Sequence, residues 1–571
     1  MSDLKKLPVG LSDFKKLIEK NAYFVDKSLF IKDIIDDISE VKLITRPRRF
    51  GKSLNLSMLK YYFEKVDEEY DYLFEDLMIM DQDQKFLAEQ GKYPVIYLTF
   101  KDIKLNSFEH CYQKIKMVIS EEYKRHQYLL ESDKILEIDK KHFKELMSEE
   151  ASYIRYSASI EFLSKLLSEH FEEEVIILLD EYDTPINYAY LNNYYDQIIE
   201  FMRLLLSSAF KDNQYLNTAV ITGIYRVAKE SIFSGFNNLR VSSIIDKSYS
   251  QYFGFTEAEV YSLLKYYNKS SEIDKVKEWY NGYRIGNNKE IYNPWSILNY
   301  LANNQLKSYW TNTSSNDLIR TMLLKTNSNF KQKLQQLLTK SSIEDVEINT
   351  DSNFKDIENK KIINESSIWN LLLLSGYLKI VDINYNHPRN AIAELEIPNL
   401  EVENFYREVI ISWFEQTDLH YADLETGVMA LIKGNIERFK EEFQYIVQST
   451  FSYFDVGKNN SENFYHAFVL GLLVNLSDQY RVKSNTEAGT GRSDILIIPE
   501  NKEDNGVIIE FKVARDNSEN ELIKTAQGAL QQIEAKNYEV ELKAAGVKNI
   551  IKLAIVFAGK NVLIKEADEF D

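Results

Sequence analysis

The feature that most constrains this chain is an apolar run, Val41-Lys42-Leu43-Ile44-Thr45, that passes through Arg46-Pro47-Arg48-Arg49-Phe50 into Gly51-Lys52-Ser53 and then into a helix-period segment over 53–65. A strand, a glycine turn and a helix N-terminus in that order form an anion cradle. Backbone N–H groups and the positive end of the helix face a phosphate, and a lysine reaches its outer oxygens. Such a unit needs neighbouring parallel strands and covering helices. Apolar runs at 95–100, 175–179 and 218–222, with a helical pattern at 160–171, supply them. The expectation is an α/β fold, a P-loop NTPase domain with a parallel sheet. The pattern G-x-x-x-x-G-K-[ST] asks for glycine where Arg46 stands. The rest is intact, so Arg48, Arg49, Phe50, Gly51, Lys52 and Ser53 are candidate nucleotide-binding residues, with Ser53 able to hold Mg²⁺.

A second run, Glu174-Val175-Ile176-Ile177-Leu178-Leu179-Asp180-Glu181, ends in two acids. A buried strand of this kind delivers Asp180 to a magnesium shell and lets Glu181 orient an attacking water. A third strand, 218–222, exits toward Arg226, for which a γ-phosphate sensor and a structural salt bridge are equal readings. Gly10-Leu11-Ser12-Asp13-Phe14, Tyr23-Phe24-Val25-Asp26-Lys27-Ser28, the Arg-Pro-Arg-Arg-Phe-Gly-Lys-Ser loop, Asp180-Glu181-Tyr182-Asp183 and Arg226-Val227-Ala228-Lys229-Glu230-Ser231-Ile232-Phe233-Ser234-Gly235 together resemble the AAA-ATPase-like family of bacterial proteins, over about residues 5–255. The resemblance implies ATP as ligand and makes Arg46 a trait of the family. It leaves open how fast ATP is hydrolysed.

Beyond residue 455 the pattern is helix (462–476), strands (481–485, 494–498, 507–513), helix (519–535) and strand (550–557). Asp494 follows Gly489-Thr490-Gly491-Arg492-Ser493, and Glu510-Phe511-Lys512 lies in the apolar strand that follows it. Residues two apart on a strand share a face, so Glu510 and Lys512 point the same way, beside Asp494 on the neighbouring strand. Two carboxylates there can hold Mg²⁺, and the lysine can position the water that attacks a phosphodiester. Glu-x-Lys alone says little, since the chain repeats it at Glu40, Glu122 and Glu358. A charged pair inside an apolar strand is costly unless it serves an ion. These segments, with Glu462-Asn463-Phe464-Tyr465-His466, Ser484-Asn485-Thr486-Glu487-Ala488-Gly489 and Ala529-Leu530-Gln531-Gln532-Ile533, resemble the PD-(D/E)XK nuclease superfamily. That resemblance implies an αβββαβ domain with Asp494, Glu510 and Lys512 as catalytic core, Mg²⁺ or Mn²⁺ as metal, and Glu462 as a further ligand, a place for which Glu487 competes. It also suggests Gln532 and Tyr538 as substrate contacts.

The expected domains are therefore an AAA-ATPase-like P-loop domain (1–255), a mostly helical lid or linker (256–454) and a nuclease-like domain (455–571). The linker carries Trp279-Tyr280-Asn281-Gly282-Tyr283, Tyr292-Asn293-Pro294-Trp295-Ser296 and Tyr309-Trp310-Thr311-Asn312-Thr313-Ser314. Core packing explains these aromatic motifs better than base stacking. With 69 basic and 88 acidic residues the net charge is −19, which excludes a protein that coats nucleic acid through its overall field. Any nucleic-acid contact, with DNA ahead of RNA, is local. No apolar run approaches the roughly 20 residues of a membrane span, the N-terminus lacks a secretory pattern, and a single cysteine, Cys111, excludes an internal disulfide. The expected location is the cytoplasm, with a homo-oligomer allowed. Two functions fit: an ATP-dependent nuclease, or an ATP-governed switch whose tail binds nucleic acid or a partner without cutting.

Overall fold

The computed structural model describes residues 4–66, 70–227, 232–233, 236–312, 317–324, 326, 330, 333–334, 337–338, 342–349, 351–352, 365–385, 390–415, 421–450, 480–488, 491–558 and 561–567. The chain divides into two compact units. The first comprises 1–318, 346–393 and 398–401, and the second 319–345, 394–397 and 402–571.

The first unit is built on a parallel sheet of β1 (Val41–Thr45), β2 (Val95–Thr99), β3 (Val175–Asp180), β4 (Leu216–Gly223) and β5 (Leu239–Ser242), in the order β2-β3-β4-β1-β5. Every residue of β1 and of β3 is buried. Successive side chains of a strand point to opposite faces, so both faces of the sheet are covered, which is why these strands read as continuous apolar runs. The expected strands at 41–45, 95–100, 175–179 and 218–222 are all present. β4 separates β1 from β3, so the loop after β1 and the acids after β3 leave the same edge of the sheet one strand apart. Gly51, at φ +85°, ends the loop and caps helix α1 (Lys52–Phe63). No atom crowds a Cβ there, so glycine is required by its left-handed backbone and not by space.

Helices predominate among the described residues of 256–454, as expected, and the region also contributes to an antiparallel sheet of Phe255–Thr256, Tyr283–Ile285 and Asn288–Tyr292. Ile285 pairs with Asn288, so Gly286-Asn287 forms a two-residue hairpin turn with Gly286 at φ +55°. The strands are too short to show periodicity. The motif Tyr292-Asn293-Pro294-Trp295-Ser296 opens helix α2 (Pro294–Asn303): Asn293 accepts from the N–H groups of Trp295 and Ser296, and Pro294 takes the first helical position, where no N–H is needed.

The second unit contains a sheet in sequential order: β6 (Tyr480–Ala488), β7 (Gly491–Pro499), β8 (Asn505–Val513), β9 (Asn549–Ala558) and β10 (Asn561–Glu566). Only the β8–β9 pair is parallel, and helix α3 (Glu519–Ala535) makes that crossover and packs on both strands. Its Ala526, Ala529 and Ile533 join Leu496, Ile508 and Val556 in one core. The strand-strand-strand-helix-strand order expected from sequence is present, with β10 added at the end. The expected helix at 462–476 lies outside the described residues. Helix Ile436–Thr450 contributes buried Phe439, Phe443 and Val447, and the Phe443 ring meets that of Phe557. Among the described residues, no helix is long and apolar enough to cross a membrane.

Candidate functional site

The loop between β1 and α1 lines a cleft of about 420 Å³. Arg48, Arg49, Phe50, Gly51, Lys52 and Ser53 form one wall, Glu181 faces them, and Lys101 and Lys104 stand at the exit of β2. The remaining wall is more apolar, with Leu11, Leu17, Phe24, Val25, Phe255 and Trp295 among its residues. Ser53, in the first turn of α1, donates its hydroxyl to Asp180 Oδ2 at 2.5 Å. Thr222 at the end of β4 donates to Asp180 Oδ1 at 2.6 Å. These two bonds fix a carboxylate that is 1 % exposed. Burial, and then the neighbouring Glu181 charge, push the Asp180 carboxyl upward from its usual range. A cation at this point would favour the ionised form. A half-buried hydroxyl paired with a buried carboxylate at a helix N-terminus is a donor set that suits a hard divalent ion.

Lys52 Nζ donates to the carbonyls of Arg46 (3.0 Å) and Pro47 (2.9 Å). Burial lowers its pKa, against the pull of Glu181, Asp183 and Asp180. Glu181 has φ +51°, a left-handed conformation costly for a residue with a side chain. The residues after it hold it there: Tyr182 N–H bonds Thr222 O, its hydroxyl bonds Tyr225 O, and Asp183 accepts from Ile224 N–H at 2.9 Å. Thr184 donates to the Glu181 carboxylate at 3.1 Å.

Arg46, at the position where the general phosphate-loop pattern has glycine, is fully buried. Its guanidinium donates to Thr45 O and Ser242 O at 2.8 Å, to Ser248 O at 3.0 Å and to Ser242 Oγ at 3.1 Å. It therefore fastens the start of the loop to the end of β5. The aromatic residues Tyr283, Trp295 and Trp310 link to the same loop. Tyr283 meets Phe50 edge-on at 5.0 Å, Trp310 meets Tyr283 at 6.4 Å, and the Arg49 guanidinium lies 4.2 Å over the Trp295 ring. Gly376 comes so near that an added Cβ would sit 2.9 Å from Pro47. Arg226 does not join this group. It lies on a two-residue strand paired with Asp351–Ser352, outside the residues that line the cleft.

In the second unit the antiparallel register of β7 and β8 ends at Ile495–Ile509, and Asp494 and Glu510 are the residues next beyond it on the two strands. Opposed residues of antiparallel strands share a face. Asp494 stands in the fourth position of β7, inside the strand and not at its opening, because the hairpin extends back to Gly491. Its Oδ2 accepts from Phe511 N–H at 2.8 Å. The Glu510 side chain is 1 % exposed, and Lys512 Nζ donates to its Oε1 at 2.8 Å. Gln532 of α3 donates to the same oxygen and bonds the Tyr538 hydroxyl, so this pair holds the carboxylate. Two adjacent carboxylates with a lysine bonded to one of them suit a divalent ion. Glu487 is on β6 opposite Arg492 in the register. Glu462 and His466 lie outside the described residues. Among the described residues no group of three or more His, Cys, Asp and Glu could hold a metal.

Residues 8–233 match the family model described as predicted AAA-ATPase, and residues 460–567 match that of the PD-(D/E)XK nuclease superfamily. The chain thus carries two separate stretches, one similar to each of these families. A protein of Azotobacter chroococcum mcd 1, described as an uncharacterized protein in the vnfD 5′ region, is 26 % identical over 568 residues, covering 95 % of this chain and 94 % of its own length.

The AAA-ATPase-like domain shows three site features that sequence reading missed. Thr222 and Thr184 act on the acids through the fold and have no motif of their own. The segment around Leu11–Val25, which carries part of the family resemblance, proves to wall the cleft. The motif around Trp295 was visible but silent as to place. In the PD-(D/E)XK-like region, Gln532 is suggested by the resemblance as a substrate contact, and the structure shows it bonded to Glu510.

Proposed function

We propose that the AAA-ATPase-like domain binds Mg-ATP in the 420 Å³ cleft and hydrolyses it, and that the PD-(D/E)XK domain cleaves phosphodiester bonds of nucleic acid, DNA before RNA, with Mg²⁺ or Mn²⁺. The observation that carries the reading is the 2.5 Å bond from Ser53 to Asp180 at the floor of a lysine- and arginine-lined cleft. In this reading the N–H groups of the Gly51 turn and α1 bind phosphate oxygens, and Lys52 leaves the Arg46 and Pro47 carbonyls to reach the outer phosphates. Ser53 and Asp180 hold the metal, which when bound offsets charge developing on the phosphates. Glu181 takes a proton from the attacking water, its left-handed backbone aiming the carboxylate into the cleft. In the tail, Asp494 and Glu510 hold the metal and Lys512 positions water, with Glu462 as a further ligand. When bound, that ion activates the water and stabilises the leaving oxygen.

The test pairs calorimetry with turnover. Lys52→Ala should lose most ATP affinity, and Glu181→Gln should keep it while slowing hydrolysis by about 10²–10⁴-fold. In parallel, cleavage of labelled DNA and RNA is followed with Mg²⁺ and Mn²⁺, with and without ATP. A Lys52→Ala protein that binds ATP as well as wild type would overturn the first half. Cleavage that survives Lys512→Ala undiminished would overturn the second.

A further inference from the structure

The aromatic motifs between residues 279 and 314 remain without a role in this reading, although they surround the phosphate loop. Asn293 caps α2 with its Oδ1 and reaches the Arg48 carbonyl with its Nδ2 at 3.5 Å, so one side chain joins the helix start to the loop. Three residues later the same helix start is held a second time. Ser296 donates its hydroxyl to Glu401 Oε2 at 2.7 Å. The other oxygen of Glu401 accepts the N–H groups of Tyr309 and Trp310. Glu401 is fully buried. A buried carboxylate with three donors fixes what it touches, since moving any one would leave charge or dipole unpaired in a dry interior. Glu401 thus locks two of the three aromatic motifs together, and the third, through Tyr283, packs between Trp310 and Phe50.

Between the cap and the lock sits Trp295. Its ring lines the cleft and carries the Arg49 guanidinium at 4.2 Å. Arg49 has φ +67°, so the loop spends backbone strain to send this side chain toward the ring. A ring face attracts a cation only modestly. A phosphate offers charge and paired acceptors to the N–H edge of the same guanidinium, whose face is left on the ring.

We propose that Trp295 is a contact residue of the nucleotide site, sharing Arg49 with the bound triphosphate, and that Glu401 is its positioning residue, acting through Ser296. The assignment rests on the nucleotide reading of the cleft and extends it to a helix outside the phosphate-loop motif. On triphosphate arrival the in-plane N–H groups of Arg49 bond phosphate while the guanidinium face stays on the ring that holds it, so the indole reports occupancy. Nucleoside triphosphates perturb it more than diphosphates, which present fewer anionic oxygens to the loop.

The experiment uses the full chain, titrated with ADP and with a non-hydrolysable ATP analogue plus Mg²⁺, while tryptophan emission and calorimetric affinity are recorded together. Five tryptophans contribute to the emission, so Trp295→Phe identifies the responsible ring. Wild type should bind the analogue with an emission change larger than that for ADP, and Trp295→Phe should lose that change and bind about tenfold more weakly. Glu401→Ala should weaken binding by a similar factor, and Glu401→Gln, which keeps the acceptor and the shape, should restore both affinity and signal. A role confined to stability would lower the melting temperature without changing affinity or emission well below it. Should Glu401→Ala fail to fold, Ser296→Ala breaks the same link. Calorimetric binding with no emission change, or wild-type affinity in both Trp295→Phe and the lock variant, would overturn the proposal and leave the nucleotide reading intact. Absence of binding in wild type would remove the nucleotide reading itself, and this assignment with it.

Discussion

The Ser53 hydroxyl donates to the Asp180 carboxylate at 2.5 Å, joining the first turn of α1 to the end of β3 across 127 residues of sequence. The bond exists because β4 sets the two chain ends one strand apart, with Thr222 completing the hold on the acid. It is also the place where a metal would stand between hydroxyl and carboxylate. Ser53→Ala should bind nucleotide with an affinity that Mg²⁺ no longer improves. Calorimetry with Mg²⁺ and with chelator measures this: a Mg²⁺ enhancement of about tenfold or more in wild type, near unity in the variant.

Arg46 makes a sharper prediction, because restoring the motif's glycine should harm the protein. Arg46→Gly removes a buried guanidinium that satisfies carbonyls of Thr45, Ser242 and Ser248. Burial pulls its pKa down to about 9, against the charge of Asp246, so it remains cationic at neutral pH. Each orphaned buried acceptor costs about 1 kcal/mol or more, and a cavity adds to this. The melting temperature should fall by several degrees, and ATP affinity with it. A variant as stable as wild type would mean that the loop is held elsewhere.

The Glu401 and Asp183 contributions to stability should fall as pH rises from 5 to 8. Burial pushes the Glu401 carboxyl up to about 7 from 4.5, and Asp183 up to about 6 from 3.8, outweighing the donors around each. Both folded pKa values are raised, so the folded state holds protons that the unfolded chain has released. This contribution is complete below the unfolded pKa, declines as pH climbs, and is gone above the folded pKa. For Glu401 the full shift corresponds to roughly 3 kcal/mol. Lys42 and Arg46, lowered to about 8 and about 9, titrate above most of that range. Denaturant midpoints across pH 5–8 should show a shallower slope in Glu401→Gln than in wild type.

In the tail, Asp494 and Glu510 bring two acids together with Lys512 bonded to one of them. Asp494→Asn should relieve repulsion, so melting without metal should hold or rise. The Mn²⁺-induced upward shift should shrink, and cleavage should vanish. A native-state ligand adds about 2.7 kcal/mol at a hundredfold excess over its Kd, which a thermal melt resolves. An equal Mn²⁺ shift in both proteins would take Asp494 out of the metal site.

The expected domain boundary near residue 455 also has a physical test. A fragment beginning there lacks helix Ile436–Thr450, whose buried Phe443 meets Phe557 of β9. A fragment beginning at residue 421 should therefore melt higher than one beginning at 455. Removing one buried aromatic ring alone costs about 3–5 kcal/mol. Equal melting temperatures would establish that the strands and α3 suffice.

By itself the sequence determined what depends on neighbours along the chain. Val41–Thr45 running into Gly51-Lys52-Ser53, the apolar strand ending at Asp180, and Glu510 two residues from Lys512 on a strand all express local periodicity or a single backbone constraint, and all are present. Only the tertiary structure decided what depends on residues far apart. Arg46 reads from sequence as a trait of the loop without a task, and its task shows only where Ser242 and Ser248 meet its guanidinium. Trp295 reads as packing until the loop brings Arg49 over its ring. Glu401 carries no motif, yet Ser296, Tyr309 and Trp310 close on it from about a hundred residues away. Such partners are chosen by strand order and core packing, and the energy of a buried polar contact is set by the dryness of its surroundings, which no stretch of sequence records.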